Sequence, residues 1–380
     1  MDPDPDMYQQ RRFFDDDTCM ESRLAREDKI NQAQFSTLDS LRGFAAIAIA
    51  VFHFSSGGWG GYLAVDFFLV LSGFILSHSY LYKYEAINPL EFIGHRLARL
   101  YPLHIYTLLT FICATLLVSK GLPSYEDGTL FTLFQQLTLT QNIGLNPSGM
   151  TWNYPSWSIS VEFWVNLVFV FLITKKTRSL TLLLLALIGL GVIFVNTGHL
   201  DTHASNYYTL LNSGMIRGVS SFFLGILSYR VYLHFKDNSD IRIVRIIGYL
   251  EIVCVIAVGI IVFGRNGNHS GLYFLAPFLF MLVVIVFSFE YGLTSRLLKK
   301  FNYLGVISYS IYLNQITVLM LMQYIANTLR QPGIAFFAEY ILVLLAYSHF
   351  TYRTIERPLR RIGRSLFSRM SPAAARAKIP

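Results

Sequence analysis

The sequence predicts an all-α fold: a polytopic integral membrane helical bundle of about ten transmembrane helices, with both termini cytoplasmic. Three observations carry that prediction. Of 380 residues, 53% are hydrophobic and only 14% charged, whereas soluble domains carry about a quarter charged residues. Mean hydropathy is +0.45. The apolar residues also gather into stretches close to the ~20 residues that cross the hydrocarbon of a bilayer. The same figures exclude disorder, collagen and coiled coil, and no nucleic-acid partner is expected.

Taken in order, the spans read 38–54, 62–82, 102–119, 157–174, 180–196, 216–234, 244–263, 272–290, 303–325 and 334–352. Segment 129–145, with Gln135 and Gln136 in its middle, is too polar to span and reads as an interfacial or re-entrant piece on a long loop. Placing the N-terminus inside puts Lys83, Arg96 and Arg99, then Lys175, Lys176 and Arg178, then Lys236, Arg242 and Arg245, then Arg296, Lys299 and Lys300 in inner loops. Eight further cations follow from Arg353 onward, whereas the outer loops hold Lys120, Arg265 and Arg330 and segment 197–215 has none. That bias follows the positive-inside rule and fits an even number of spans.

Residues 1–35 read as a polar, disordered cytoplasmic tail with nine acidic residues up to Asp28 and no apolar core of a cleaved signal peptide. Residues 36–360 form the membrane domain, and 361–380 a basic cytoplasmic tail for which contact with anionic headgroups is sufficient explanation. The three cysteines (Cys19, Cys113, Cys254) are scattered, with no disulfide framework and no zinc spacing, so no metal is expected.

Ionisable residues inside spans are costly and mark function by default. The candidates are Arg42 and His53 on the first helix, Asp66 on the second and Glu162 on the fourth; Arg217 and Glu251 fall nearer predicted ends, where snorkelling satisfies long side chains. In LDSLRGFAAIAIAVFHF, Arg42 and His53 are 11 residues apart. On a helix they lie within about 20° of one face and ~16 Å apart along the axis. Asp39 sits on that face too, in reach of Arg42. A positive-inside anchor plus a structural histidine accounts for this helix as well as a catalytic pair does. Glu162, in PSWSISVEFWVNLVF, is placed at the membrane level of His53, so a His–Glu pair is expected there; an interhelical bond is its structural alternative, and Asp66 has one too. Ser72 and Gly73 point to close helix packing. Arg96 and Arg99, an i,i+3 pair, suit a phosphate or pyrophosphate, although every inner loop is basic.

LDSLRGFAAIAIAVFHF with its Arg-x10-His, VDFFLVLSGFIL, HRLARLYPLH, WSISVEFW, LGVISYSIYL and the closing IERP follow one another over about residues 36–360. Together they resemble the acyltransferase-3 family of integral membrane acyltransferases, which O-acylate sugars of surface polysaccharides and other acceptors. The resemblance implies a catalytic role for His53 and a donor-binding role for Arg42. One departure stands out: where the family often has a histidine after SYSIYL, this chain has Asn314 and Gln315, which hydrogen-bond but take no proton. No soluble esterase-like domain is expected after the core, which would then act alone or with separate partners.

The expected chemistry is acyl transfer from cytoplasmic acyl-CoA, acetyl-CoA being the commonest donor implied, to a hydroxyl of a sugar or polysaccharide precursor. Arg42, Arg96 and Arg99 are the donor-binding candidates; His53, Glu162 and Asp66 are the catalytic ones, with His53 the base and Glu162 its orienting acid. Direct transfer and an acyl-histidine intermediate both fit. The aromatic segments TWNYPSW (151–157) and SNYY (205–208) are candidates for stacking on sugars. The expected setting is a bacterial inner (plasma) membrane, and a homo-oligomer is compatible with it. From other classes, a secondary transporter or flippase of a lipid-linked sugar is the alternative, and a structural scaffold the third reading.

Overall fold

The computed structural model describes residues 35–369 except 58, 82–87, 145–149, 175, 202–205, 208–210, 238–239, 265–270 and 330–333. The acidic N-terminal tail and residues 370–380 lie outside the described residues. The helices are α1 (Ser36–Phe54), α2 (Ala64–Tyr80), α3 (Pro89–Ser119), α4 (Thr129–Thr138), α5 (Trp157–Leu172), α6 (Ser179–Thr197), α7 (Ser213–Phe235), α8 (Ile241–Phe263), α9 (Ala276–Ser288), α10 (Leu293–Leu298), α11 (Asn302–Val306), α12 (Ser308–Leu329), α13 (Ile334–Thr351) and α14 (Arg357–Arg369). A two-residue antiparallel pair, Asn206–Tyr207 with Leu211–Asn212, precedes α7. A π-helical turn, Tyr352–Glu356, joins α13 to α14.

Eight of these helical segments are long and apolar enough to cross a bilayer, and a ninth span is broken: Leu293–Val306 and Ser308–Asn327 meet at 59°. The bundle is therefore polytopic, as expected, with two departures from ten uniform spans. The stretch read as 303–325 is that bent pair, kinked at Ile307. The stretch read as 216–234 is helix α7, whose Arg217, Arg230 and serines keep it below the hydropathy of a lone span. It tolerates them because residues Ser213–Tyr229 are almost all buried against protein rather than lipid. Paired broken helices are a mark of transporters; among the described residues one broken span is found. The semi-apolar piece after α3 is the ten-residue helix α4, too short to cross.

Helix ends explain several polar residues. The Asn88 side chain accepts from Leu90 N–H with Pro89 at the first helical position of α3, and Asn212 accepts from Met215 N–H at α7. Glu290 takes the N-terminus of α1, accepting from Thr37 N–H at 2.8 Å and Ser36 Oγ at 3.1 Å. Glu251, fully buried, accepts from Gly292 N–H, Ser295 N–H and Ser295 Oγ at the start of α10. A carboxylate at a helix N-terminus meets unpaired N–H donors and the positive end of the dipole.

Small residues set the closest crossings. Where α2 meets α7, a Cβ on Gly73 would strike the Phe222 carbonyl, and one on Gly225 the Val70 carbonyl. This is the packing role expected of Gly73. A Cβ on Gly43 would strike Leu304, and one on Gly305 the Asp39 backbone, so α11 lies directly against α1 beside Arg42. Gly225→Ala is expected to cost about 1–3 kcal/mol by overpacking, seen as a lower melting temperature in nanodiscs. Gly259→Ala, where an added Cβ meets open space, should leave melting unchanged or raise it, since alanine is the better helix former.

Candidate functional site

Two polar centres sit at opposite ends of α1, which is unbroken between Arg42 and His53, so the ~16 Å rise between them is that of regular helix.

At the Arg42 end, α1, α3, α5, α12 and the turn before α14 converge. Arg42 Nη1 pairs with Asp39 Oδ1 at 3.3 Å. Around Arg42, the Arg99 charge repels while Asp39, Glu162 and Glu356 attract. Arg96 in turn feels Arg99, Glu162 and Arg364, and its guanidinium lies 5.2 Å from the Phe92 ring centroid. Glu356, 6% exposed, accepts from Ser310 Oγ at 2.7 Å within the field of Arg360, Arg99 and Arg42. Tyr309 Oη donates to the Leu100 carbonyl at 2.7 Å, pinning α12 to α3 in the middle of the group. The structure thus brings Arg42, Arg96 and Arg99 together. It also places Glu162 with these arginines, not with His53 at the other end of α1. Glu162 sits half-buried one turn inside α5, and its carboxylate offsets guanidinium charge.

At the other end, His53 Nδ1 is 3.2 Å from Gln315 Oε1. The Gln315 amide is oriented independently: its Nε2 donates to the Tyr312 carbonyl at 2.9 Å, and Tyr340 Oη donates to the Gln315 carbonyl at 3.2 Å. With its Nε2 committed, Gln315 presents an oxygen to the ring, and an amide oxygen only accepts. His53 Nδ1 is therefore the protonated nitrogen, which puts the lone pair on Nε2. The position where a histidine was anticipated thus supplies a fixed acceptor. Asn314 next to it donates to Thr351 Oγ1 at 2.9 Å, tying α12 to α13.

The Tyr154 ring packs edge-on to His53 at 5.2 Å. Its loop is anchored from both sides, since Asn153 Nδ2 donates to the Leu313 carbonyl and Trp152 Nε1 to Thr132 Oγ1. Trp152 and Trp157 are 3% and 6% exposed, so the tryptophans of TWNYPSW face protein. Of that segment's aromatics only Tyr154, half-buried, faces the His53 centre. The side chains of Tyr207 and Tyr208 lie outside the described residues.

Asp66 belongs to neither centre's direct contacts. Arg217 Nη2 reaches Asp66 Oδ2 at 2.6 Å and Arg217 Nε reaches Oδ1 at 3.0 Å; Ser221 Oγ donates to Oδ1 at 2.8 Å. Arg217 also donates to the carbonyls of Leu200 at 3.0 Å and Tyr62 at 3.3 Å. Both charges are buried, Arg217 at 1% and Asp66 at 0% exposed. This bidentate, fully satisfied pair locks α2 to α7, and Arg217 does not snorkel at a helix end. Its burial was hidden because α7 is shielded from lipid, which no single-helix reading reveals.

Four residues at or beside the two centres are not among the catalytic or donor-binding candidates of the sequence: Gln315, Tyr154, Glu356 and Arg364. Glu356 lies in the IERP motif, which was legible; the others were visible only as a departure, an aromatic loop and a basic tail.

A family model described as an acyltransferase domain matches residues 35–350. The chain is 26% identical to the O-acetyltransferase OatA of Staphylococcus aureus over 357 residues, covering 87% of this chain and 58% of that protein. It is 37% identical to Protein 2 in picA locus of Rhizobium radiobacter over 180 residues, 40% of this chain and 90% of that protein. The chain thus spans little more than half the length of OatA. No solved structure matches.

Removing one partner from a buried ion pair strands the other, at about 3–5 kcal/mol. Asp66→Ala should therefore lower the melting temperature sharply, and Arg217→Met paired with Asp66→Leu should recover much of the loss. A normal melting temperature in Asp66→Ala with activity abolished would instead mark Asp66 as a reacting group.

Proposed function

The chain belongs to this acyltransferase family, and from that premise we propose that it is a membrane O-acyltransferase. It moves an acyl group, acetyl by preference, from cytoplasmic acyl-CoA to a hydroxyl of a sugar or polysaccharide precursor at or across a bacterial plasma membrane. The observation that carries this reading is a single rigid helix holding a guanidinium cluster at one end and an oriented imidazole at the other.

Arg42, Arg96 and Arg99 hold the donor phosphates. Guanidinium forks suit phosphate oxygens, and three on adjoining helices suit a ligand with several. Asp39, Glu162 and Glu356 keep the cluster from repelling itself when the donor is away. The pantetheine arm runs along α1 toward His53, a span of the same order as the ~16 Å rise. His53 Nε2 takes the acceptor hydroxyl proton as that oxygen attacks the thioester carbonyl. The new C–O ester bond forms, the C–S bond breaks, and the departing thiolate takes the proton from the imidazolium to leave as CoA thiol. Gln315 Oε1 accepts from Nδ1–H throughout, which fixes the ring's tautomer and steadies the imidazolium. An aspartate does this in a hydrolase triad; a neutral amide does it with less charge stabilisation.

Two results test the reading in nanodiscs with radiolabelled acetyl-CoA and a panel of sugar acceptors. His53→Ala should bind CoA as wild type does while turnover falls by about 10²–10⁴-fold, the usual size of a general-base contribution. Wild type that neither binds nor consumes acetyl-CoA would remove the reading. Gln315→Leu should lower kcat by roughly tenfold to hundredfold, a part of that same contribution, with CoA affinity unchanged; an unaltered kcat would leave His53 oriented by something else.

A further inference from the structure

The matched acyltransferase region ends at residue 350, yet the polypeptide continues as α14 and returns to the arginine cluster. The boundary drawn at 361 between domain and tail falls inside this helix. A Cβ on Gly363 would press on Ala98 Cβ at 2.7 Å, and one on Gly94 would strike the Phe367 ring. Those two contacts fix an antiparallel register between α14 and α3, in which Arg364 lies level with Leu97, between Arg96 and Arg99, and Arg360 lies one turn nearer the membrane. Both α3, at 31 residues, and the segment Ala335–Phe367, at 33, are longer than the ~20 residues a bilayer requires. The excess is the paired end where these arginines sit.

The sides of α14 differ. Arg357 and Arg361 are exposed, as are Leu359, Ile362 and Leu366, whereas Arg360 and Arg364 are half-buried toward α3. Their charges act within the cluster already described, Arg364 on Arg96 and Arg360 on Glu356. With Arg42, Arg96 and Arg99 they bring five guanidiniums against Asp39, Glu162 and Glu356. Five guanidinium forks gathered on neighbouring helices suit a ligand that carries several phosphates.

We propose that α14 is part of the donor site: Arg360 and Arg364, held against α3 by Gly363 and Phe367, join Arg96 and Arg99 in binding the phosphate-bearing nucleotide end of acyl-CoA. The ligand chemistry is a cluster of phosphates on one molecule. An anionic phospholipid headgroup shares that chemistry in part, but a single phosphodiester uses only a fraction of the charge assembled. The inference rests on the acyl-CoA reading and reaches beyond it to a helix outside the matched region.

The test measures CoA affinity by calorimetry for the full chain in nanodiscs of phosphatidylcholine alone. Arg360→Gln with Arg364→Gln should weaken CoA binding about tenfold, the loss expected for charge-assisted hydrogen bonds, and should flatten the salt dependence of Kd. Melting without CoA should fall by no more than a few degrees, since Arg360 also lies in the field of buried Glu356 while Gly363 and Phe367, which seat α14 on α3, are unchanged. Arg357→Gln with Arg361→Gln, on the exposed side, should leave CoA binding as it was. The proposal is overturned if the Arg360/Arg364 variant binds CoA like wild type while Arg42→Ala does not, an outcome that leaves the acyl-CoA reading standing. It is also overturned if the variant loses only the stabilisation given by phosphatidylglycerol in matched nanodiscs, or if the outward pair weakens binding equally. Wild type that binds no CoA would remove both readings together.

Discussion

A charge between apolar helices is tolerable only when something offsets it, and the whole bundle is arranged around that cost. An isolated buried ion costs several kcal/mol even after the surroundings relax. Asp66 is matched by Arg217 and Ser221, and Glu251 by three donors at a helix start. These residues close their own accounts and stitch helices together. The Arg42 cluster is different, because several guanidiniums gather there on adjoining helices and remain half-buried. That difference sets the proposed donor site apart from the structural charges more sharply than their positions along the chain do.

The fold was largely legible because lipid imposes a coarse code: length and hydropathy located nearly every span. What failed were inferences that needed neighbours. The serines and Arg217 of α7 look ill-suited to a membrane until the helices that screen them are in place. Glu162 was set level with His53 by counting residues from a helix end, but the turn Tyr154–Ser156 lengthens that end and carries the carboxylate toward the arginines. Residues 361–380 read as a basic tail, since nothing in their composition announces that Gly363 and Phe367 fit onto α3.

The site was legible in its poles and not in its wiring. Arg42 and His53 share one face of one helix by arithmetic alone. The identity of the imidazole's partner depends on α12, 262 residues away in sequence, kinked at Ile307 so that Tyr309, Tyr312 and Gln315 all turn inward. Gln315 stood out only as a missing histidine. Its fixed amide explains how the position serves without a proton: it holds one nitrogen of His53 protonated and leaves basicity to the other.

The central claim is that one helix carries the donor at one end and the reacting atoms at the other. A cryo-electron microscopy map of the protein in nanodiscs with a non-transferable acetyl-CoA analogue tests it most directly. The account predicts phosphate density against Arg42, Arg96 and Arg99, with the acyl carbonyl within hydrogen-bond reach of His53 Nε2. Analogue bound elsewhere in the bundle, or phosphates at the arginines with the acyl end turned away from His53, would contradict it.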